Sequence, residues 1–151
     1  MSNDEKVTKG LISVLEDGAD GFTKAAEKLT DTNDAQLAST FQRFAAQRTQ
    51  FSQELRRLAS SYGDSIHESG SVVGAMHRGW LAVKDALSGS SAEGVLDAAR
   101  QGEDHAVSEY DEALAADISP TLKDIIARQA AAVRAARDEV AALKVQAAPS
   151  A

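Results

Sequence analysis

The chain has no cysteine among its 151 residues. This absence excludes disulfide bonds, thiol nucleophiles and metal sites with thiolate ligands. No apolar run is long enough to span a bilayer. The first six residues are polar and do not form the apolar core of a signal peptide. We therefore expect a cytoplasmic protein that is not embedded in a membrane.

Basic residues are the minority among the charged residues. Lys and Arg total 16, against 23 Asp and Glu, so the formal net charge is -7 and the sequence pI is near 4.9. Binding to a nucleic-acid backbone needs clustered Lys and Arg, and an anionic membrane surface attracts cationic segments. The acidic balance therefore argues against both kinds of partner.

Proline and aromatic residues are also scarce. The chain has only 2 prolines, and aromatic residues make up 5% of it, whereas hydrophobic residues make up 43% and charged residues 26%. This composition is typical of a globular protein, and the shortage of proline favours helices. Since the length suits one domain with a sizeable core, we expect a single all-α domain over residues 1–151.

Apolar residues recur at alternating spacings of three and four, which is the period of one helix face. The pattern predicts long helices at 4–30, 33–61, 91–116 and 119–146, with a shorter amphipathic helix at 71–88. Ser119 followed by Pro120 marks the start of the last helix. A serine hydroxyl can accept a hydrogen bond from a backbone N–H of the first turn, and proline is favoured at the first helical position. The predicted inward-facing positions are Val7, Leu11, Val14, Gly18, Phe22, Ala25, Leu29; Leu37, Phe41, Phe44, Arg48, Phe51, Leu55, Leu58; Leu96, Ala99, Glu103, Ala106, Tyr110, Leu114; and Leu122, Ile126, Gln129, Val133, Ala136, Val140, Leu143.

The lengths of the connections predict the topology. Short connections join the first two long helices and the last two, so each pair is expected to be an antiparallel hairpin. The segment between the hairpins is much longer and has roughly the length needed to return along the bundle. Two hairpins joined by one long crossover form the ferritin-like four-helix bundle.

A polar layer is predicted at the middle of this apolar pattern. Arg48 and Glu103 occupy inward-facing positions of the second and third long helices, and Gly18 and Val133 occupy the matching positions of the other two. Counting outward from the two hairpin turns places all four residues near one level. Burying an unpaired guanidinium or carboxylate is costly, so the two charged groups need partners there.

Several motifs resemble a known family. Residues 102–110 resemble the glutamate-bearing helix of ferritin-like proteins, in which a Glu precedes a Tyr by seven residues. Over most of residues 5–145, the chain resembles an uncharacterised bacterial four-helix-bundle family of the ferritin-like superfamily. The most specific part is the crossover motif His77-Arg78-Gly79-Trp80. The other residues that carry the resemblance are Asp17, Gly18, Gly21, Phe22, Gln47, Arg48, Phe51, Glu54, Leu55, Ser71, Gly102, Glu103, Asp104 and Tyr110.

The resemblance implies a fold similar to that of di-iron carboxylate proteins, and this makes a metal site a hypothesis to test. A di-iron bundle takes one Glu from each of two helices and a Glu-x-x-His pair from each of the other two. Glu103 matches one single-Glu position, but its counterpart is Gly18. At the positions where a di-iron bundle has its two Glu-x-x-His pairs, this chain has Arg48 with Phe51, and Val133 with Ala136.

Two further carboxylates lie one position away from the inward-facing line, Asp17 and Glu54. With Glu103 they are the weak metal-ligand candidates. The sequence therefore predicts neither a metal centre nor a cofactor, and it favours a second explanation for the central layer. In this explanation Arg48 points inward and pairs with Glu103, in place of metal charge. The alternative is that the Arg48 side chain extends past its neighbours to solvent.

The histidines form no cluster with ligand spacing. His77 is on the crossover helix, where a packing or capping role is expected, while His67 lies in a polar loop and His105 faces away from Glu103. Trp80 is expected to anchor the crossover helix on the bundle. No nucleophile elbow and no phosphate-binding glycine loop is present.

Three classes of function remain open. The first, favoured by the missing ligands, is a non-enzymatic structural or interaction bundle. A stress-associated role and a homo-oligomer formed through the alanine-rich last helix belong to this expectation. The second is a metal-binding or oxidant-handling ferritin relative with an atypical carboxylate site. The third is a small-molecule binder with a pocket beside the crossover helix. The alanine-rich stretch of the last helix contains Ala130, Ala131, Ala132, Ala135 and Ala136.

Overall fold

The computed structural model describes residues 3–31, 34–60 and 92–143. These residues form four α-helices and no strand: α1 (Asn3–Asp31), α2 (Ala35–Ala59), α3 (Ala92–Ala115) and α4 (Pro120–Ala142). The all-helical prediction is confirmed, with helix bounds that differ from the predicted ones by at most four residues. The predicted crossover helix at 71–88 lies outside the described residues, with His67, His77, Arg78, Gly79 and Trp80.

The helix directions follow from contacts near the helix ends. Asn3 Nδ2 donates to the backbone oxygen of Asp117 at 3.0 Å, so α1 begins where α3 ends. The backbone N–H of Ser119 donates to Asp4 Oδ1 at 2.9 Å, so α4 starts at the same end. Arg43 near the start of α2 pairs with Glu139 near the end of α4 at 2.6 Å.

These directions make every neighbouring pair of helices antiparallel. The α1 helix packs beside α2 and α3, and α4 packs beside α3. Ion pairs from Arg43 and Arg128 join α2 to α4 and complete the four-helix bundle. The two diagonal pairs, α1 with α4 and α2 with α3, each run in the same direction. The end of α2 and the start of α3 therefore lie at opposite ends of the bundle.

The core consists of two separate apolar clusters, one toward each end of the bundle. The first surrounds Phe22, whose ring centroid lies 5.3 Å from that of Phe41 and 5.4 Å from that of Phe44. The second contains Leu55, Tyr110 and the buried residues of the first half of α4. Gly18, Arg48 and Glu103 are buried but belong to neither cluster. A polar layer therefore divides the core near its middle.

The predicted inward-facing residues are all removed from solvent to some degree. Most are fully buried, while five at the helix ends or bundle margins are only half-buried: Val7, Phe51, Leu58, Leu114 and Leu143.

None of the described helices is long and apolar enough to cross a membrane. Of the five α4 alanines named above, Ala130 and Ala136 are buried in the protein's own core, so they are not available for contact with another subunit. Ala131 and Ala135 are exposed.

The start of α4 has the predicted cap. Ser119 adopts an extended backbone conformation, and its Oγ accepts a hydrogen bond from the N–H of Leu122 at 3.3 Å, with Pro120 in the first turn. The cap satisfies one of the N–H groups that a helix start leaves without an intrahelical partner.

We expect Ser119→Ala to lower the free energy of unfolding by about 0.5–2 kcal/mol, because it removes this cap. Urea unfolding followed by circular dichroism measures the loss. The matched control is Ser108→Ala, since Ser108 is exposed within α3. It should change stability by less than about 0.5 kcal/mol. Equal effects of the two substitutions would show that the cap contributes nothing.

Candidate functional site

The central layer contains a bidentate ion pair between α2 and α3. Arg48 Nη1 donates to Glu103 Oε1 at 2.6 Å, and Arg48 Nη2 donates to Glu103 Oε2, also at 2.6 Å. The side chains are 1% and 0% exposed. The guanidinium thus points inward, as favoured from the sequence, and its planar fork matches the two carboxylate oxygens. Each charge has the other as its partner, away from water.

The surroundings of Arg48 hold its guanidinium in place. Its Nε donates to Gln47 Oε1 at 3.2 Å, and its Cζ lies 5.3 Å from the ring centroid of Phe22 on α1. This is within the range of a cation–π interaction. Gly18 is buried one turn before Phe22. Glycine has no side chain to project from α1 at this position, although glycine within a helix costs about 1 kcal/mol relative to alanine.

The buried pair fixes how the helices fit together more than it adds to stability. Transfer of two charges out of water carries a desolvation penalty that their attraction and hydrogen bonds must offset. A well-packed apolar pair is often equally stable, whereas loss of one partner leaves a buried charge and costs several kcal/mol. The α2–α3 register that places Arg48 opposite Glu103 is therefore strongly favoured over any shift by a turn.

A second polar network lies next to this layer and was not predicted from the sequence. The Tyr110 hydroxyl on α3 donates to Gln129 Oε1 on α4 at 2.8 Å. Gln129 Nε2 in turn donates to Glu54 Oε1 on α2 at 2.8 Å. Glu54 also pairs with Arg128 at the surface. One feature of the sequence pointed to such a network: Gln129 occupies an inward-facing position in the apolar pattern of α4, and a buried amide requires hydrogen-bond partners.

The environment of Tyr110 keeps its hydroxyl protonated. Burial is the main cause that raises its pKa well above the ordinary value, the nearby Glu54 carboxylate raises it further, and the Arg48 guanidinium opposes both. A protonated hydroxyl is the form that can donate to Gln129. Tyr110 is therefore placed as a hydrogen-bond donor to Gln129, not as a phenolate.

The residues of the central layer do not fit a di-iron group. Gly18, the residue expected from the sequence as the counterpart of Glu103, has no ligand atom, and the guanidinium of Arg48 donates to both oxygens of Glu103. Val133 is fully buried in apolar surroundings. Phe51 and Ala136 likewise offer no ligand atoms.

The other two carboxylate candidates are not at the centre either. Glu54 is turned toward Arg128 and Gln129, and Asp17 is half-buried on α1. Within the described parts of the chain, no three His, Asp or Glu side chains come together in a metal-binding group. His105 is on α3, with its Nε2 3.9 Å from Glu109 Oε1.

A family model described as a domain of unknown function (DUF2383) matches residues 5–116 of the chain. The matched region extends from the first turns of α1 to just beyond α3 and includes both Arg48 and Glu103. The comparisons with curated proteins and with solved structures give no match.

The buried pair can be tested by removing one charge and then both. We expect Arg48→Met to lower the free energy of unfolding by about 3–5 kcal/mol, because it leaves the Glu103 carboxylate buried without its partner. Adding Glu103→Leu should recover most of this loss, since no buried charge then remains. Denaturant unfolding followed by circular dichroism measures both effects.

Arg43→Met is the matched control for these variants, because it breaks the exposed pair of Arg43 with Glu139. It should cost no more than about 1 kcal/mol. A loss from Arg48→Met as small as that of the control, or a double variant no more stable than Arg48→Met alone, would contradict the role given to the buried pair.

Proposed function

The chain belongs to the DUF2383 family, and from this premise we propose that it is a single-domain, ferritin-like helical bundle with a non-enzymatic role. In this proposal the Arg48–Glu103 pair stands where a di-iron bundle has its metal centre. The proposal is carried by one observation: both oxygens of Glu103, the one carboxylate at a central ligand position, accept hydrogen bonds from the guanidinium of Arg48.

The helix arrangement supports the ferritin-like assignment. All neighbouring helices are antiparallel, while α2 and α3 run in the same direction across the bundle. Among four-helix bundles, two hairpins joined by one long connection give this arrangement. The resemblance noted in the sequence points to the same superfamily.

The chemistry of the layer favours a structural or interaction role. A guanidinium is always protonated and offers hydrogen-bond donors only, so Arg48 cannot act as a metal ligand or as a general base. The nearby Tyr110 hydroxyl is held as a donor. The exposed residues Ala131 and Ala135 leave part of α4 flat enough for close approach of a second copy, and a homo-oligomer is part of the proposal.

The direct test is binding of Fe(II) under anaerobic conditions, followed by removal of free iron and elemental analysis. We expect the chain to retain no iron at the central layer. An acidic surface can hold iron weakly, so wild type must be compared with Glu103→Gln, which removes the central carboxylate. The control Glu93→Gln removes an exposed carboxylate in the first turn of α3.

Equal iron content in the three proteins supports the proposal. The alternative function, a metal-binding or oxidant-handling relative with an atypical carboxylate site, predicts a different pattern. Stoichiometric iron in wild type and Glu93→Gln, lost in Glu103→Gln, would overturn the non-metal proposal and establish that alternative.

A further inference from the structure

A surface groove lies between α1 and α3, near the end of the bundle where α1 begins. It has a volume of about 350 Å³ and is lined by Lys6, Val7, Gly10, Leu11, Glu109, Glu112 and Ala113. This volume is at the lower end of the range for small-molecule sites. The groove is distinct from the central layer, because none of its residues contacts Arg48 or Glu103 through a hydrogen bond or ion pair described above.

The floor of the groove is apolar. Leu11 and Ala113 are buried beneath it, and Val7 is half-buried at its side. Gly10 lies within α1, where glycine costs about 1 kcal/mol relative to alanine. The missing side chain at this position contributes to the space of the groove. A ligand with a short aliphatic body would bury apolar surface here.

The charges of the groove lie on opposite helices. Lys6 is on α1, and Glu109 and Glu112 are on α3. Among the ion pairs of the described residues, none joins Lys6 to either glutamate. The groove thus offers a cationic side chain on one helix and two carboxylates on the other, beside an apolar floor.

Glu109 lacks a close cationic partner. Its side chain is 24% exposed, and the nearest cationic candidate is His105 Nε2 at 3.9 Å. Burial is the main cause that raises the pKa of Glu109 above its ordinary value of 4.5; His105 opposes this rise, and Glu112 adds to it. A carboxylate in such surroundings gains from a cation that approaches through the groove.

We propose that this groove binds a small aliphatic zwitterion, an ω-amino acid by its chemistry. The ligand's ammonium group lies at Glu109 and Glu112, its methylene chain covers Leu11 and Ala113, and its carboxylate faces Lys6. An amine alone would leave Lys6 without a partner, and a fatty acid alone would meet two carboxylates. Both charges of the ligand are therefore needed for full affinity.

Isothermal titration calorimetry on the full chain tests the proposal, with EDTA present to exclude metal binding. The probes are ε-aminocaproate, hexylamine and hexanoate, which differ only in their charged ends. We expect ε-aminocaproate to bind roughly tenfold or more tightly than either of the others. No heat of binding from ε-aminocaproate up to about 10 mM, or equal affinity for hexylamine, would overturn the proposal.

Two variants locate the site. Glu109→Gln keeps the shape of the side chain and should weaken binding of ε-aminocaproate roughly tenfold, whereas the control Glu27→Gln, on an exposed position of α1, should leave it unchanged. Gly10→Leu should abolish binding by filling the groove, with circular dichroism as the check on folding. Full affinity in Glu109→Gln would place binding elsewhere. The iron experiment does not bear on this groove, so the two proposals can fail separately.

Discussion

The bidentate contact between Arg48 and Glu103 is the interaction on which the rest of the bundle depends. It is buried on the bundle axis, joins two helices that are not neighbours, and lies between the two apolar clusters. An apolar core alone tolerates small shifts of one helix along another, because many apolar contacts are interchangeable. A buried charge pair does not tolerate them, since a shift by one turn would leave two charges without partners.

A second set of hydrogen-bonded polar residues extends across three helices beside this contact. The Tyr110–Gln129–Glu54 chain links α3, α4 and α2, one to two turns beyond the charged layer. Arg43–Glu139 and Arg128–Glu54 join α2 to α4 at the surface. Exposed pairs of this kind contribute little stability individually. The buried members specify which side chains meet, and the apolar clusters on either side provide the main favourable free energy.

Much of this fold could be predicted from the sequence because one face of each helix keeps a regular apolar period. The same period placed Arg48 and Glu103 inside, and their opposite charges indicated a pair. The contact between Tyr110 and Gln129 was not predictable in this way, because it depends on the register of α3 against α4. Buried residues beside the inward-facing line, such as Ile12 and Val95, were missed because that line marks only one residue per turn, whereas the buried face of a helix is wider. The groove between α1 and α3 was not predictable either, because it depends on the distance between the two helices. The spacing of apolar residues along the sequence does not give that distance.

Glu103 holds the Arg48 guanidinium rigidly inside the protein. Nuclear magnetic resonance of the 15N-labelled chain tests this most directly, through the Nη protons of Arg48. We expect separate Nη signals for Arg48 that exchange slowly with solvent and are lost in Glu103→Gln. Averaged Nη signals that exchange as fast as those of the exposed Arg43 would contradict it.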